Sequence, residues 1–446
     1  MVSNVSGRFL IAIFLFNLVV YKFEILSPPV LLSFMFFFCA FVGIIRYDDW
    51  RLNEYYGFTV LVIVSGILVF CLGGYFGSAC RLNYLKKNEP IRHSRIELDR
   101  LCTVVFIIIG ISGNVIFFYY VRKMVLNLGY AHNGISQMLY SYYIIKMKLQ
   151  NVGDNNIPYF ANVLNRFVTV NSVLCLYIFL HNICFRKYEK KDLWLLLIIL
   201  FWPIQSIIKS GRGDILVLLA ESIYLMYFFW NMYYGWNDTV NNKIIKWGSR
   251  IFGVFLISFI ILAIVLGKRN SFAELNVKEY LTKYISVGIR NFDLFLKNPV
   301  RSDFFGQETF PGFHRILYNY LNIGNLYATP LEGIQFNGFS MGNIYTAFRR
   351  YYADFGLFGM LFISYLLGYF FSLAYEKIKK KSYKDQTGFG LLLFAYLSKE
   401  IFYWPIENQL LISELSVGGI FKIIILYILY LLAVKKKVKI IIRRKL

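Results

Sequence analysis

The sequence predicts an all-α, polytopic integral membrane protein with about 11 transmembrane helices, and three observations support that prediction. Of its 446 residues, 58% are hydrophobic and only 16% are charged, whereas about a quarter of the residues in a soluble domain are charged. Apolar runs of about 20 residues, the length that crosses a bilayer as a helix, recur along the chain. The net charge of +23 lies mainly in short loops between those runs. These features exclude a soluble enzyme, a disordered chain and a coiled coil.

The apolar runs define the predicted spans, which form a single transmembrane domain over residues 1–446. In chain order the spans cover residues 8–26, 28–46, 58–80, 101–121, 159–184, 193–209, 213–235, 249–267, 353–375, 388–404 and 415–434. The first span is the least clean, because Arg8 and Lys22 bracket a short run. The connection over 268–342 is too long for an idle loop, so we expect it to have a function.

The distribution of Lys and Arg predicts the orientation of the chain. One set of loops holds 25 Lys or Arg in 67 residues, and the alternate set holds 15 in 138. The basic set comprises 81–100, 185–192, 236–250, 376–387 and 435–446, and the alternate set comprises 47–57, 122–158, 209–213, 268–342 and 405–414. By the positive-inside rule the basic set is cytoplasmic. The charge is thus explained by the cytoplasmic (inner) membrane, and nucleic acid is not a predicted partner.

The long extracytoplasmic loop contains a predicted amphipathic helix over 276–298. Apolar residues recur there at helical spacing, and Lys278, Lys283, Arg290 and Lys297 fall on the other side. Asn276 is a suitable N-cap and Pro299 a suitable stop. The pattern predicts a helix that lies on the outer membrane surface.

The first motif that could bind a ligand or take part in a reaction is Ser210-Gly211-Arg212-Gly213-Asp214, in the shortest outer turn. Its glycines allow a sharp reversal, and Arg212 falls at the start of the next span. A guanidinium beside free backbone N–H groups at a helix N-terminus forms an anion site. An interfacial arginine that only anchors the span is the alternative interpretation.

The second motif runs from Asn343 to Gly359 and leads into the predicted span 353–375. Arg349 and Arg350 are adjacent on the outer side, against the positive-inside bias. A bound anion would explain that departure. Asp354 follows at helical spacing, and we expect it to pair with one of these arginines.

Other ionisable residues are isolated in the sequence. Arg166 starts a span on the outer side, whereas Glu221 and Lys399 lie within spans, where charged residues usually pair. We expect those two to pair with each other. The sequence contains no GxxxxGK[ST] and no DxD, and its four histidines lack metal-ligand spacing. No metal and no cofactor are therefore predicted.

The turn SGRGDILVLL and the later stretch NIYTAFRRYYADFGLFG resemble the Wzy-type oligosaccharide repeat-unit polymerases of O-antigen and capsule synthesis. The first stretch also resembles the S-R-G turn of the O-antigen ligases, although Gly211 stands where that turn has Ser. The likeness of the second stretch lies in Asn343, Tyr345, Thr346, Arg349, Asp354, Gly356 and Gly359.

This resemblance implies a GT-C-like membrane glycosyltransferase acting on the outer face. Its donor and acceptor would be oligosaccharides on undecaprenyl pyrophosphate, and its protein partners a flippase and a chain-length regulator. A sugar pyrophosphate has a good leaving group, and fixed arginines can stabilise the charge that builds on it.

Residue roles follow from that chemistry. Arg212 and Arg349 would be catalytic, and Arg166, Arg290, Arg350 and Asp354 would bind substrate. The acceptor hydroxyl needs a general base, for which the candidates are His314, Glu308, Glu332 and Asp354. His314 is preferred because its ordinary pKa suits work near neutral pH. A lipid-linked oligosaccharide flippase and an O-antigen ligase are the alternative functions.

Overall fold

The structure is a computed structural model that describes most of the chain. The described residues are 2–45, 54–79, 93–130, 134–148, 157–211, 213–236, 246–247, 250, 253, 277–323, 333–383, 387–407 and 410–435. Arg212, Glu332, Asn276 and most of the predicted span 249–267 lie outside them, so the predictions made for these residues stay predictions.

The described chain is almost entirely helical. In order, the helices are α1 (Val2–Val20), α2 (Pro28–Ile45), α3 (Gly57–Gly77), α4 (Arg100–Asn127), α5 (Ile135–Lys148), α6 (Tyr159–Cys184), α7 (Leu193–Ile208), α8 (Gly213–Tyr234), α9 (Val277–Lys297), α10 (Pro311–Leu321), α11 (Ala347–Ser382), α12 (Gly388–Tyr403) and α13 (Val417–Ala433). A 3-10 turn covers Lys190–Asp192, and a π-helical turn covers Leu410–Glu414. Strands β1 (Ile334–Phe336) and β2 (Phe339–Gly342) form an antiparallel hairpin between α10 and α11.

Seven of these helices are long and apolar enough to cross a membrane. They are α2, α3, α4, α6, α7 with its preceding 3-10 turn, α8 and α11. The chain is therefore a multi-pass membrane protein, as predicted. Helix α13 and the apolar part of α1 are shorter, α12 has 16 residues, and the count of eleven spans stays a prediction. Helix α1 ends six residues before the predicted boundary, because Lys22 and Phe23 adopt left-handed conformations.

Contacts within the chain divide it into two units. The first unit comprises Met1–Lys86, Ala273–Lys381 and Leu397–Gly419, and the second comprises Lys87–Phe272, Ser382–Tyr396 and Ile420–Leu446.

In the first unit, α3 and α11 approach each other closely through small residues. A Cβ atom at Gly73 would overlap the backbone carbonyl of Tyr365, and one at Gly77 would overlap that of Tyr369. Small residues at a helix interface let two backbones approach in this way within a membrane. Helix α11 is thereby packed closely against α3, and its first turns carry the second sequence motif.

The structure corrects the prediction for α9, which belongs to the core of the first unit. The helix starts within the predicted range and ends at Lys297, two residues before Pro299. Residues 286–293 are all buried, Arg290 among them. A Cβ atom at Gly288 would overlap the backbone carbonyl of Pro405. Residues 286–293 are thus covered on every side of the helix, and Arg290 does not lie on a solvated face.

The second unit is built around α4, α6, α7 and α8. Helix α7 ends in a Schellman motif, with the N–H of Ser210 bonded to the carbonyl of Ile207 and that of Gly211 to the carbonyl of Ser206. The left-handed residue is Ser210, with a φ of 56°, and not one of the predicted glycines. The Ser210 hydroxyl donates to the carbonyl of Leu139 at 2.6 Å, which ties the turn to α5.

Loops that were assigned to one side of the membrane contact one another within each unit. In the first unit, the N–H of Tyr56 donates to Asp293, which joins two segments predicted to lie outside. Glu24, near the predicted inner end of the first span, pairs with Lys379 of a predicted inner loop. In the second unit, the contacts that join segments of one side are Ser210 with Leu139, Arg95 with Asp192, and Trp236 with Ser382. The contacts therefore group the loops as the charge pattern does.

Cysteine labelling should report which group of loops faces out. Asp303 and Lys381 are both exposed and lie in opposite groups. We expect Asp303→Cys to react with an impermeant maleimide in intact cells, or in spheroplasts where an outer membrane blocks the reagent. Lys381→Cys should react only after permeabilisation, and the unmodified protein measures the background of the native thiols. The reverse pattern would overturn the orientation.

Candidate functional site

Four segments of the first unit meet at the start of α11. The carbonyl of Trp404 accepts the N–H of Ala347 at 2.8 Å, which places the first residue of the helix. The Asn291 amide of α9 donates to the carbonyls of Gly342 and Ile344 and so fixes the chain between β2 and α11. The turn at 302–310 folds back over the same helix end. We call the resulting polar cluster, which comprises Arg349, Arg350, Glu308, Asp354 and Glu407, the arginine site.

The two arginines share a single carboxylate, that of Glu308. Its Oε2 pairs with Arg349 Nη1 and lies 3.8 Å from Arg350 Nη1. Arg350 Nη2 also lies 3.6 Å from Glu407 Oε1. The side chain of Arg350 is only 8% exposed and that of Arg349 15%. Two largely buried guanidinium groups therefore face one bridging carboxylate. The same two groups could bind another oxyanion of similar shape in its place.

Aromatic rings orient the Arg349 side chain. Its guanidinium carbon lies 4.9 Å from the ring centre of Phe295 and 5.6 Å from that of Tyr345. Both distances are within the range of cation–π attraction. Arg349 Nε is buried and has no hydrogen-bond partner among the described residues. The Arg349 side chain is thus held in place while its Nε–H donates no hydrogen bond to the described residues.

Asp354 binds the backbone of the turn at 302–310, and its charge also acts on Arg349 and Arg350. Its carboxylate accepts the N–H of Glu308 at 3.1 Å and that of Thr309 at 2.6 Å. The carboxylate that pairs with the arginines is Glu308, although it lies far from them in sequence. Asp354 therefore positions the turn that carries Glu308, and sequence spacing alone could not show this.

A kink at Gly356 explains both glycines of the motif. Its φ of 65° and ψ of −167° interrupt α11 between two helical segments, a conformation that favours glycine. A Cβ atom at Gly359 would overlap the Phe355 side chain just across the kink. The Phe355 ring in turn packs against Phe305 and Phe310 of the turn at 302–310. The kink thus aims the first segment of α11 at that turn.

Arg290 forms a second centre on α9. It is 1% exposed, and its Nη1 donates to Asp293 Oδ2 at 3.1 Å. Its guanidinium lies over the rings of Tyr55 and Phe336. Arg290 Nε and Nη2 are buried without a hydrogen-bond partner among the described residues. Its only ion pair in the described chain is with Asp293, so Arg290 is not part of the arginine site.

His314 lies on α10, and its Nε2 is 2.9 Å from the carbonyl oxygen of Phe305. Because a carbonyl only accepts, Nε2 must carry the hydrogen, and a basic role would fall to Nδ1. Phe305 belongs to the same turn as Glu308, so the predicted base is tied to the turn at the arginine site.

The remaining predicted site residues lie in the second unit. The guanidinium of Arg166 on α6 lies between the rings of Tyr159 and Phe421, at 6.0 and 5.7 Å. The turn that contains Arg212 lies at the start of α8, and Arg212 itself is outside the described residues.

Lys399 forms an ion pair with Glu414, and the predicted pairing of Lys399 with Glu221 stays a prediction. Its Nζ lies 2.7 Å from Glu414 Oε1, and both side chains are about 5% exposed or less. Glu414 ends the π-helical turn that leads to α13. The expectation that Lys399 is paired within the membrane is thus met by Glu414.

A separate ionic cluster lies in the second unit. Arg95 contacts Asp192 at 2.5 Å, Glu97 at 2.6 Å and Glu189 at 3.0 Å. Burial lowers the pKa of Arg95, but the hydrogen bond and charge of Asp192, with the charges of Glu189 and Glu97, raise it above its ordinary value. Glu97 and Glu189 also pair with Lys191. Among the described residues no group of three or more His, Cys, Asp or Glu could hold a metal ion.

Comparison of the chain with protein-family models, with curated proteins and with solved structures found no match. The sequence motifs and the geometry of the arginine site are therefore the grounds on which a function is proposed.

Proposed function

We propose that the protein is a membrane glycosyltransferase that polymerises lipid-linked oligosaccharide repeat units on the outer face of the cytoplasmic membrane. The observation that carries the proposal is the adjacent pair Arg349 and Arg350, largely buried at the end of a membrane helix and bridged by one carboxylate. The charge pattern of the loops supports the outer location.

A pyrophosphate-linked sugar fits this site chemically. As the bond between the anomeric carbon and the pyrophosphate breaks, negative charge builds on the leaving group. Guanidinium groups bind such oxyanions through paired, charge-assisted hydrogen bonds, and groups already held in place stabilise the transition state most. Both arginines are held in this way. Arg349 lies against the rings of Phe295 and Tyr345, and Arg350 is paired with Glu407.

The substrates would be a growing glycan and a single repeat unit, each on undecaprenyl pyrophosphate. Since the energy of the reaction comes from the pyrophosphate linkage, neither a nucleotide nor a metal cofactor is needed. A flippase would deliver the repeat unit, and a chain-length regulator would limit the product. The unusual residues lie at the predicted outer ends of spans, which favours this proposal over a flippase, for which they would lie near the bilayer midplane.

Glycan analysis of cells that lack the protein separates the three candidate functions. Loss of a polymerase should leave single repeat units transferred to the final acceptor, with no longer products. Loss of a ligase would leave long glycan on the lipid carrier, and loss of a flippase would trap single units on the inner leaflet. We expect the first pattern, and either of the others would contradict the proposal.

A further inference from the structure

We propose that Glu308 is an exchangeable occupant of the arginine site and the general base of the reaction. In the resting protein its carboxylate neutralises Arg349 and Arg350. The pyrophosphate of the donor takes its place, and the released carboxylate then accepts the proton of the acceptor hydroxyl. This inference rests on the proposed function.

The geometry places Glu308 where a phosphate would bind. One of its oxygens contacts both arginines, as a bridging phosphate oxygen would. Guanidinium groups form the same paired hydrogen bonds with carboxylates and phosphates. Since the two anions compete for the same donors, only one of them can occupy the site at a time.

The contacts that hold the turn at 302–310 against Asp354 do not involve the Glu308 side chain. Asp354 holds the backbone N–H groups of Glu308 and Thr309 and not the Glu308 side chain, so the turn keeps its place when the carboxylate rotates away. Arg349 stays stacked on its aromatic neighbours. Arg350 keeps its contact with Glu407. The exchange therefore needs only side-chain rotation at residue 308.

The exchange also explains how a base becomes active only when the donor is bound. A carboxylate paired with two cations is a weak base, and it becomes a stronger one when those cations bind another anion. The acceptor hydroxyl oxygen attacks the anomeric carbon, and the bond from that carbon to the pyrophosphate oxygen breaks. The bonding electrons go to the pyrophosphate, stabilised by Arg349 and Arg350. The hydroxyl proton goes to Glu308, which releases it to water on returning to the arginines.

Binding of inorganic pyrophosphate to the purified full-length protein tests the exchange. Glu308→Gln removes the competing charge and keeps the size of the side chain. It should bind pyrophosphate about ten- to a hundredfold more tightly than the unmodified protein, and it should form polymer about a hundredfold more slowly. Glu308→Asp, which is too short to bridge both arginines, should also bind pyrophosphate more tightly and keep part of the activity.

Glu189→Gln is the matched control, because Glu189 is an ion-paired glutamate of the second unit. It should change neither measurement. Equal pyrophosphate affinities of the unmodified protein and both Glu308 variants would overturn the exchange, and full polymer formation by Glu308→Gln would overturn its role as base. Unmodified protein that binds pyrophosphate but never elongates a lipid-linked unit would instead contradict the proposed function.

Discussion

Replacing Arg349 with alanine is expected to stop polymer formation. The variant loses a guanidinium that is oriented by two aromatic rings and paired with Glu308. Hydrogen bonds to charged groups contribute roughly 1.5–3 kcal/mol each, so the loss of one or two in the transition state predicts a rate about ten- to a few thousandfold lower. Arg349→Lys should recover little, because an ammonium cannot form the paired contact. Quantified glycan ladders from cells with equal amounts of each variant measure the effect.

Arg301→Ala provides the matched control. Arg301 is an exposed arginine close to the turn at 302–310, and its removal should leave the ladder unchanged. If Arg349→Lys polymerised at the normal rate, Arg349 would be a structural cation and not a ligand for pyrophosphate. The sequence alone makes the same prediction for Arg212: Arg212→Ala should stop polymer formation, and Arg212→Lys should recover little.

Replacing Asp354 with alanine should disorder the turn that carries Glu308. The buried carboxylate accepts two backbone N–H groups of that turn, and each buried donor left unpaired costs about 1–3 kcal/mol. We expect faster proteolysis within 302–310, a lower unfolding temperature and little polymer. Asp354→Asn keeps an acceptor oxygen and should be milder in all three measurements.

Asp303→Ala is the control for this prediction, since Asp303 is an exposed acid of the same segment. It should behave as the unmodified protein does. Normal resistance to proteolysis in Asp354→Ala would mean that the backbone contacts do not hold the turn. Asp354 would then act on the substrate directly, the role that the family resemblance implies.

The membrane architecture could be predicted from the sequence because it depends on runs of residues. Seven predicted spans coincide with long apolar helices, and the charge pattern grouped the loops that contact one another. Helix ends were less predictable. Helix α1 stops just before Lys22 and Phe23 take left-handed conformations, which neither residue type favours, so only the charge of Lys22 hinted at the boundary.

The ion-pair partners of the charged residues could not be predicted from the sequence. Arg349 and Arg350 were noticed because they oppose the positive-inside bias, but Glu308 reaches them only through a fold-back that Asp354 stabilises. Helical periodicity placed Arg290 on a polar face of α9. In the structure other segments cover that face, and Arg290 pairs with Asp293. Periodicity shows which residues share a face and cannot show what packs against it.

The most direct test of the central claim uses the purified protein in liposomes with a single repeat unit on undecaprenyl pyrophosphate. The account predicts a ladder of longer glycans on the same lipid carrier, formed without nucleotide and in the presence of EDTA, and lost in Arg349→Ala. Movement of the unit across the bilayer without chain growth would contradict the account, as would a ladder that Arg349→Ala still forms.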